Sequence, residues 1–254
     1  WGYLKNEAMV ASGNLPAISD PSQLKTTDWL KAVTNTDAPI SNIDLSVSGG
    51  NDRGDYFFSV NNFKQEGIIN KTNSDRVSFR ANSSYNIKPW LKIGENITVA
   101  RSKNQTGVES DEWTSMIITS ITKDPASPVR NPDGTYARGI YNDIWNPAAI
   151  IEYTNNQDIV YRSLANVFAD ITLMKGLVFK TNYSLEYSFG ETDHYTPVYY
   201  VSSVQQNSIS NLYKNNSSRL IGQWSNTLNY EKTYGNHYFS VLLGAETYSN
   251  DYRW

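Results

Sequence analysis

The sequence predicts an all-β fold: an antiparallel transmembrane β-barrel segment of about eight up-and-down strands with long extracellular loops. Three observations carry this. Apolar and polar residues alternate with period two, most cleanly from Asp75 to Ile87, where Val77, Phe79, Ala81, Tyr85 and Ile87 share one face. Arg76, Ser78, Arg80, Asn82, Ser84 and Asn86 share the other, with Ser83 the single polar residue on the apolar side. That polar face is too wet for a sandwich core, so one face meets lipid and the other water. Short and long connections also alternate in strict phase, and aromatic residues are abundant, with 18 Tyr and 7 Trp available for interfacial girdles.

Residues 1–39 read as an irregular region, with turns at Gly13-Asn14-Leu15-Pro16 and Ser19-Asp20-Pro21. A short helix is expected at Thr27-Asp28-Trp29-Leu30, capped by Thr27 or Asp28. The first strand carries Ile43, Leu45 and Val47, and the turn Gly49 to Gly54 leads to Tyr56, Phe58 and Val60. After a modest loop at Gln65-Glu66-Gly67 comes the Asp75 to Ile87 strand, which Lys88-Pro89-Trp90 joins tightly to Leu91, Ile93, Ile97 and Val99.

The longest irregular stretch, Lys103 to Asp158, holds a helical pattern of Trp113, Met116, Ile117 and Ile121 behind Ser110 as cap. Asn131-Pro132-Asp133-Gly134 is a β-turn by residue type, and Asn146-Pro147 opens a second short helix. Ala165 to Leu173 and Leu177 to Tyr187 form a hairpin around Met174-Lys175-Gly176. A polar loop from Gly190 to Asn216 precedes the last hairpin, Leu220 to Tyr230 paired with Phe239 to Ala245. In a barrel of the outer membrane the short turns are periplasmic, which puts the two long loops outside the cell.

Composition excludes other classes. A balance of 22 Lys+Arg against 25 Asp+Glu offers no basic face for nucleic acid, and 0 Cys leaves neither disulfides nor thiolate metal sites. No apolar run reaches the ~18 residues of a membrane helix. A mean hydropathy of −0.53 is what diluted barrel strands produce. The N-terminus, Trp1-Gly2-Tyr3-Leu4, carries neither a basic n-region nor an apolar h-region.

The order of certain strings resembles the barrel of SusC/RagA-type TonB-linked outer-membrane transporters. They are Thr27-Asp28-Trp29-Leu30, Leu45-Ser46-Val47-Ser48-Gly49-Gly50, Tyr56-Phe57-Phe58-Ser59, Gln65-Glu66-Gly67-Ile68-Ile69 and Trp90-Leu91-Lys92-Ile93-Gly94. They continue with Pro128 to Tyr136, Asn146-Pro147-Ala148 and Leu228 to Gly235. The resemblance covers nearly everything from about Thr27 and implies a multi-pass protein of a Gram-negative outer membrane. It also implies import of oligosaccharides or peptides, energised through TonB, beneath a SusD-like surface lipoprotein. Nothing resembles a plug domain or a TonB-interaction segment. The expected organisation is therefore a loop region at 1–39 and a partial barrel at 40–254, part of a larger one, with external loops at about 103–158 and 190–216. The end at Tyr252-x-Trp254 resembles a barrel-assembly signal, but Ser249-Asn250-Asp251 reads better as the start of a further loop, hence as truncation.

Candidate chemistry is sparse, and neither catalysis, metal nor cofactor is expected. Glu109, Asp111 and Glu112 suit calcium or acid/base work, or simply the first turn of a helix. His194 and His237 lack neighbouring ligand types. The loop aromatics Trp113, Tyr136, Tyr141 and Trp145 offer faces on which sugar rings stack, or pack the loop against itself. The alternative to a transporter segment is a self-contained small barrel or soluble carbohydrate-binding β domain, which requires its first and last strands to close on each other. An enzyme degrading polysaccharides lacks a placeable carboxylate pair.

Overall fold

A computed structural model describes residues 1–107 and 115–254. Among the described residues the chain runs α1 (Gly2–Ala11), a 3-10 turn (Pro21–Gln23), α2 (Trp29–Val33), β1 (Ile40–Asn51), β2 (Gly54–Glu66), β3 (Asn73–Lys88) and β4 (Leu91–Thr106). It continues with α3 (Met116–Thr122), α4 (Pro147–Tyr153), β5 (Asn155–Met174), β6 (Leu177–Thr196), β7 (Tyr199–Tyr200), β8 (Gln206–Asn207), β9 (Asn211–Tyr234) and β10 (His237–Arg253). Eight strands form one antiparallel sheet in the order β1-β2-β3-β4-β5-β6-β9-β10, and β7 pairs with β8 in a small ribbon. The large sheet is open, with β1 and β10 at its two edges, so the closed eight-stranded alternative is not formed. None of the described helices is long and apolar enough to cross a membrane.

Register explains the alternation physically. Directly opposed residues share a face. One row across the sheet reads Leu45, Val60, Phe79, Val99, Ser163, Tyr187 and Leu220. The row two residues nearer the short turns reads Val47, Phe58, Ala81, Ile97, Ala165 and Leu185. This face is not covered by protein: Leu45 is 72% and Leu243 64% exposed. A contiguous apolar band of that extent is unsuited to water and suited to lipid.

The band also slopes. Relative to the row holding Gly54, Tyr85, Ile93, Ala169, Thr181 and Asn226, β3 runs three residues further to Lys88, β5 five to Met174 and β9 eight to Tyr234. Eight residues at ~3.3 Å each, over the roughly six strand spacings of ~4.8 Å between the first and last hairpins, give a slope of about 40°. Strands in membrane barrels tilt by this amount.

The eight strands of the large sheet are 12 to 24 residues long, and most run well beyond the ~9–11 that cross a bilayer. The excess lies at the long-connection end, where both faces are polar and the sequence reads as loop. Ladder bonds continue there, with side-chain support from Thr192 Oγ1, which donates to Asp158 Oδ1 at 2.7 Å, and from Lys214 to Asp193 at 3.1 Å. The two long connections are correspondingly shorter than alternation suggests.

Turn chemistry follows residue type. Gly235, at φ +59, takes the first corner of the tight Gly235-Asn236 turn, as a II′ hairpin requires. In the first hairpin Asn51 Oδ1 accepts from Arg53 N at 2.8 Å, and the reversal narrows to Asp52-Arg53, leaving Gly49 and Gly50 inside β1. Bulges sit beside the other two turns, at Asn86/Lys88 and Thr172/Met174.

Residues 1–39 contain more order than their composition suggests. α1 is mostly exposed and is anchored where Asn6 donates to Ile18 O at 2.7 Å and accepts from Ile18 N at 2.9 Å. α2 is capped by Asp28, which accepts from Lys31 N at 3.0 Å. α3 begins at Met116 with Ser115 as its cap; Ser110, expected as the cap, lies outside the described residues, as do Glu109, Asp111, Glu112 and Trp113.

The buried core is not in the sheet. It sits among the long connections, where Val33, Ile69, Met116, Ile150 and Ile151 bring α2, α3, α4 and the β2–β3 loop together. The start of β1 lies opposite Gln65, at this same end, which is why α2 can join that cluster.

Candidate functional site

Two regions gather the chemistry: the polar face of the sheet and the packed connections above it. On the polar face, Asn82, Asn96, Asn166, Ser184 and Gln223 form one cross-strand row. Asn166 is its centre, accepting from Asn96 Nδ2 at 3.3 Å and donating to Ser184 Oγ at 2.8 Å and to Asn182. The next row brings Arg80, Thr98, Leu164, Glu186 and Ile221 together, and Arg162 Nε donates to Glu186 Oε1 at 3.0 Å. A cavity of about 270 Å³ opens here, its amide and carboxylate wall interrupted by Leu164 and Ile221. Such a surface offers paired donors and acceptors beside apolar patches, which suits a polar solute with an apolar face.

The connections are held by two buried polar hubs. Asn146, fully buried, caps α4 through Oδ1, which accepts from Ala148 N at 3.1 Å and Ala149 N at 3.2 Å. Its Nδ2 donates to Val129 O at 2.9 Å and Ala137 O at 2.8 Å, so one side chain joins three segments. Gln205, from the β6–β9 connection, bonds the Asn146 backbone in both directions. In the second hub Asp124, also buried, accepts from Ser127 N at 2.9 Å and from Ser127 Oγ, while Ser127 Oγ accepts from Ile140 N at 2.8 Å. Trp29 Nε1 donates to Asp124 O at 2.9 Å and Thr27 N to Pro125 O at 2.7 Å, which docks the α2 segment.

Lys123 is buried beside these hubs, with Nζ donating to Ile144 O and lying 5.9 Å from the Trp29 ring centre. Burial pulls its ammonium down to about 8, against the opposing pull of Asp124 and Asp143. Burial pushes the Tyr136 and Tyr199 phenols upward.

The structure separates the sequence-predicted aromatics. Tyr136 is buried, its ring under the Arg130 guanidinium at 3.9 Å and edge-on to Tyr153 at 5.8 Å; Tyr153 in turn stacks on Tyr199 at 4.3 Å. Trp145 is half-buried against the Val33 cluster, and Tyr141 is half-buried with its ring 5.5 Å from that of Trp1. Trp113 lies outside the described residues. His194 lies near the Tyr213 ring and His237 near Phe239, on different strands. Gln205, Asp124 and Ser127 escape sequence reasoning because their partners are remote or are backbone atoms. Only Asn146-Pro147 carried a local signal, as a helix start.

No family model matches the chain. Two curated proteins of Formosa agariphila are similar to it: TonB-dependent receptor P3, 28% identical over 225 residues, and TonB-dependent receptor P26, 25% identical over 253. These alignments cover 86% and 96% of this chain but 22% and 24% of the relatives, so the chain spans about a quarter of their length. Among solved structures, the RagAB peptide importer in its open-open state superposes with a TM-score of 0.76 at 24% identity, over 89% of this chain and 26% of that one. At that identity the match concerns the fold.

Proposed function

The chain is similar in sequence and fold to part of the barrel of SusC/RagA-type TonB-dependent transporters, and from this we propose that it forms wall and external loops of an outer-membrane nutrient importer. The observation that carries the reading is the apolar band, continuous in register and sloping by about 40° across the sheet. On this reading the apolar face contacts outer-membrane lipid. The Asn96–Asn166–Gln223 face lines the lumen, and the packed connections face the cell exterior. The solute is an oligosaccharide or a peptide, either of which combines hydrogen-bonding groups with apolar faces. The half-exposed Tyr141 and Trp145, with Trp113, are its proposed aromatic contacts, whereas Tyr136 serves by orienting Arg130. Energy comes through TonB, and a SusD-like surface lipoprotein covers the loops. The solved RagAB importer is named for peptide, which supports the peptide arm.

The absence of cysteine makes the orientation directly testable. In intact cells a membrane-impermeant maleimide is expected to label Ile209→Cys, on an exposed connection, and to leave Asn236→Cys, at a short turn, unlabelled until the envelope is opened. The opposite pattern would overturn the reading.

A further inference from the structure

A groove on the apolar face has a specific composition. Phe79, Val99 and Tyr187 are large members of one cross-strand row, and Ser163 breaks that row between Val99 and Tyr187. The resulting hollow, about 430 Å³, is walled mainly by Val77, Phe79, Val99, Tyr161 and Tyr187. At its long-connection end stands Arg101, exposed, with Nε donating to Tyr161 Oη at 3.4 Å and the guanidinium 5.8 Å from that ring. Among the described residues no carboxylate pairs with Arg101. Beyond it on the same face the charges are mixed: Lys103 lies opposite Asp75, with Glu191 across Ile159.

A guanidinium on a lipid-contacting face costs roughly 2–4 kcal/mol at the bilayer midplane and ~0–1 near the interface. Arg101 follows Val99, the last apolar residue on this face of β4, so it stands at the interface above an apolar hollow. That juxtaposition matches an amphiphile with an anionic head and acyl chains, the phosphate pairing with Arg101 and a chain filling the gap left by Ser163. We propose that this groove is a binding site for a phosphorylated, multiply acylated glycolipid of the outer leaflet. The proposal rests on the orientation proposed above, because only the exterior-facing end of the band meets that leaflet.

The test is native mass spectrometry of the folded protein in mild detergent, incubated separately with lipid A, phosphatidylglycerol and phosphatidylethanolamine. Wild type should retain lipid A in preference to both phospholipids. Arg101→Glu and Ser163→Phe should each lower that occupancy about tenfold, and Arg101→Lys should keep most of it. Heat-modifiable migration verifies that each variant folds. Equal lipid A retention by all folded variants, or phosphatidylglycerol retained as well as lipid A, overturns the proposal. With the cysteine labelling intact, such a result overturns this site alone; reversed labelling overturns the orientation first.

Discussion

Gln205 bonds the backbone of Asn146 as a neighbouring strand would: its Oε1 accepts from Asn146 N at 2.7 Å and its Nε2 donates to Asn146 O at 3.1 Å. Both residues are buried, 59 positions apart, and belong to different long connections. The Gln205 side chain thus ties the two loops together beside the Tyr153–Tyr199 stack, and the Asn146 side chain extends the link to Val129 and Ala137.

Asn146→Ala removes a helix cap and strands the buried Ala137 carbonyl, at about 1–3 kcal/mol for that unsatisfied group, while Val129 O keeps its bond from Ala137 N. Faster amide exchange across α4 and residues 129–137 is expected, with β5 and β6 unchanged. Uniform exchange in α4 between variant and wild type would count against the hub. Gln205→Glu should show a smaller effect of the same kind, because it keeps the acceptor and loses the donor.

Lys123 gives the loop assembly a pH dependence. Its folded-state affinity for a proton is about 8, below the ordinary 10.5, so the folded assembly binds fewer protons than the opened one between those values. Its stabilising contribution is complete above 10.5 and is lost as pH falls through about 8. Tyr136 and Tyr199, shifted upward from 10.0, act oppositely, and their contribution is lost as pH rises past their folded values. Exchange protection of α3 should therefore rise from pH 8 toward 10 and decline beyond. Lys123→Met should flatten the rising limb, and an unchanged limb would contradict the assignment.

The two sheet faces should respond oppositely to charge. Ile97→Arg places a guanidinium further into the apolar band, opposite Ala81, and should cost roughly 2–4 kcal/mol, whereas Thr98→Arg on the polar face should cost little. Urea unfolding in lipid vesicles measures both, and equal costs would contradict the two-faced wall.

Glycines in β1 and β4 should differ in tolerance. A methyl on Gly49 meets only the tip of the Tyr56 ring, at 2.5–3.0 Å, which can swing aside. A methyl on Gly94 meets the Phe168 ring at 2.5 Å and the Ser83 carbonyl at 2.6 Å, and the backbone cannot yield cheaply. Gly94→Ala should reduce the heat-modifiable folded fraction markedly, and Gly49→Ala should not.

Much of this wall was legible in the chain because barrel strands are governed by local rules. Period two needs only that successive side chains point to opposite faces, so Val77 to Ile87 declared both faces without knowledge of any partner. Gly235-Asn236 and Asn146-Pro147 likewise act through their own backbone preferences. Beyond the apolar band, at Asn155 to Asp158 and Asn211 to Ser218, polarity no longer alternates, and only hydrogen bonds to the neighbouring strand reveal that the ladder continues. The same limit hid α1, held chiefly by Asn6 and Ile18, and the hubs at Asp124 and Asn146, whose partners are backbone atoms of distant segments. The sequence by itself determined which side of each main strand is apolar and where the tight turns fall, because both follow from neighbours one to four residues away. Only tertiary structure decided the register, the slope of the band, and the burial of Tyr136 beside half-exposed Tyr141 and Trp145, because those depend on which remote strands and loops are brought together.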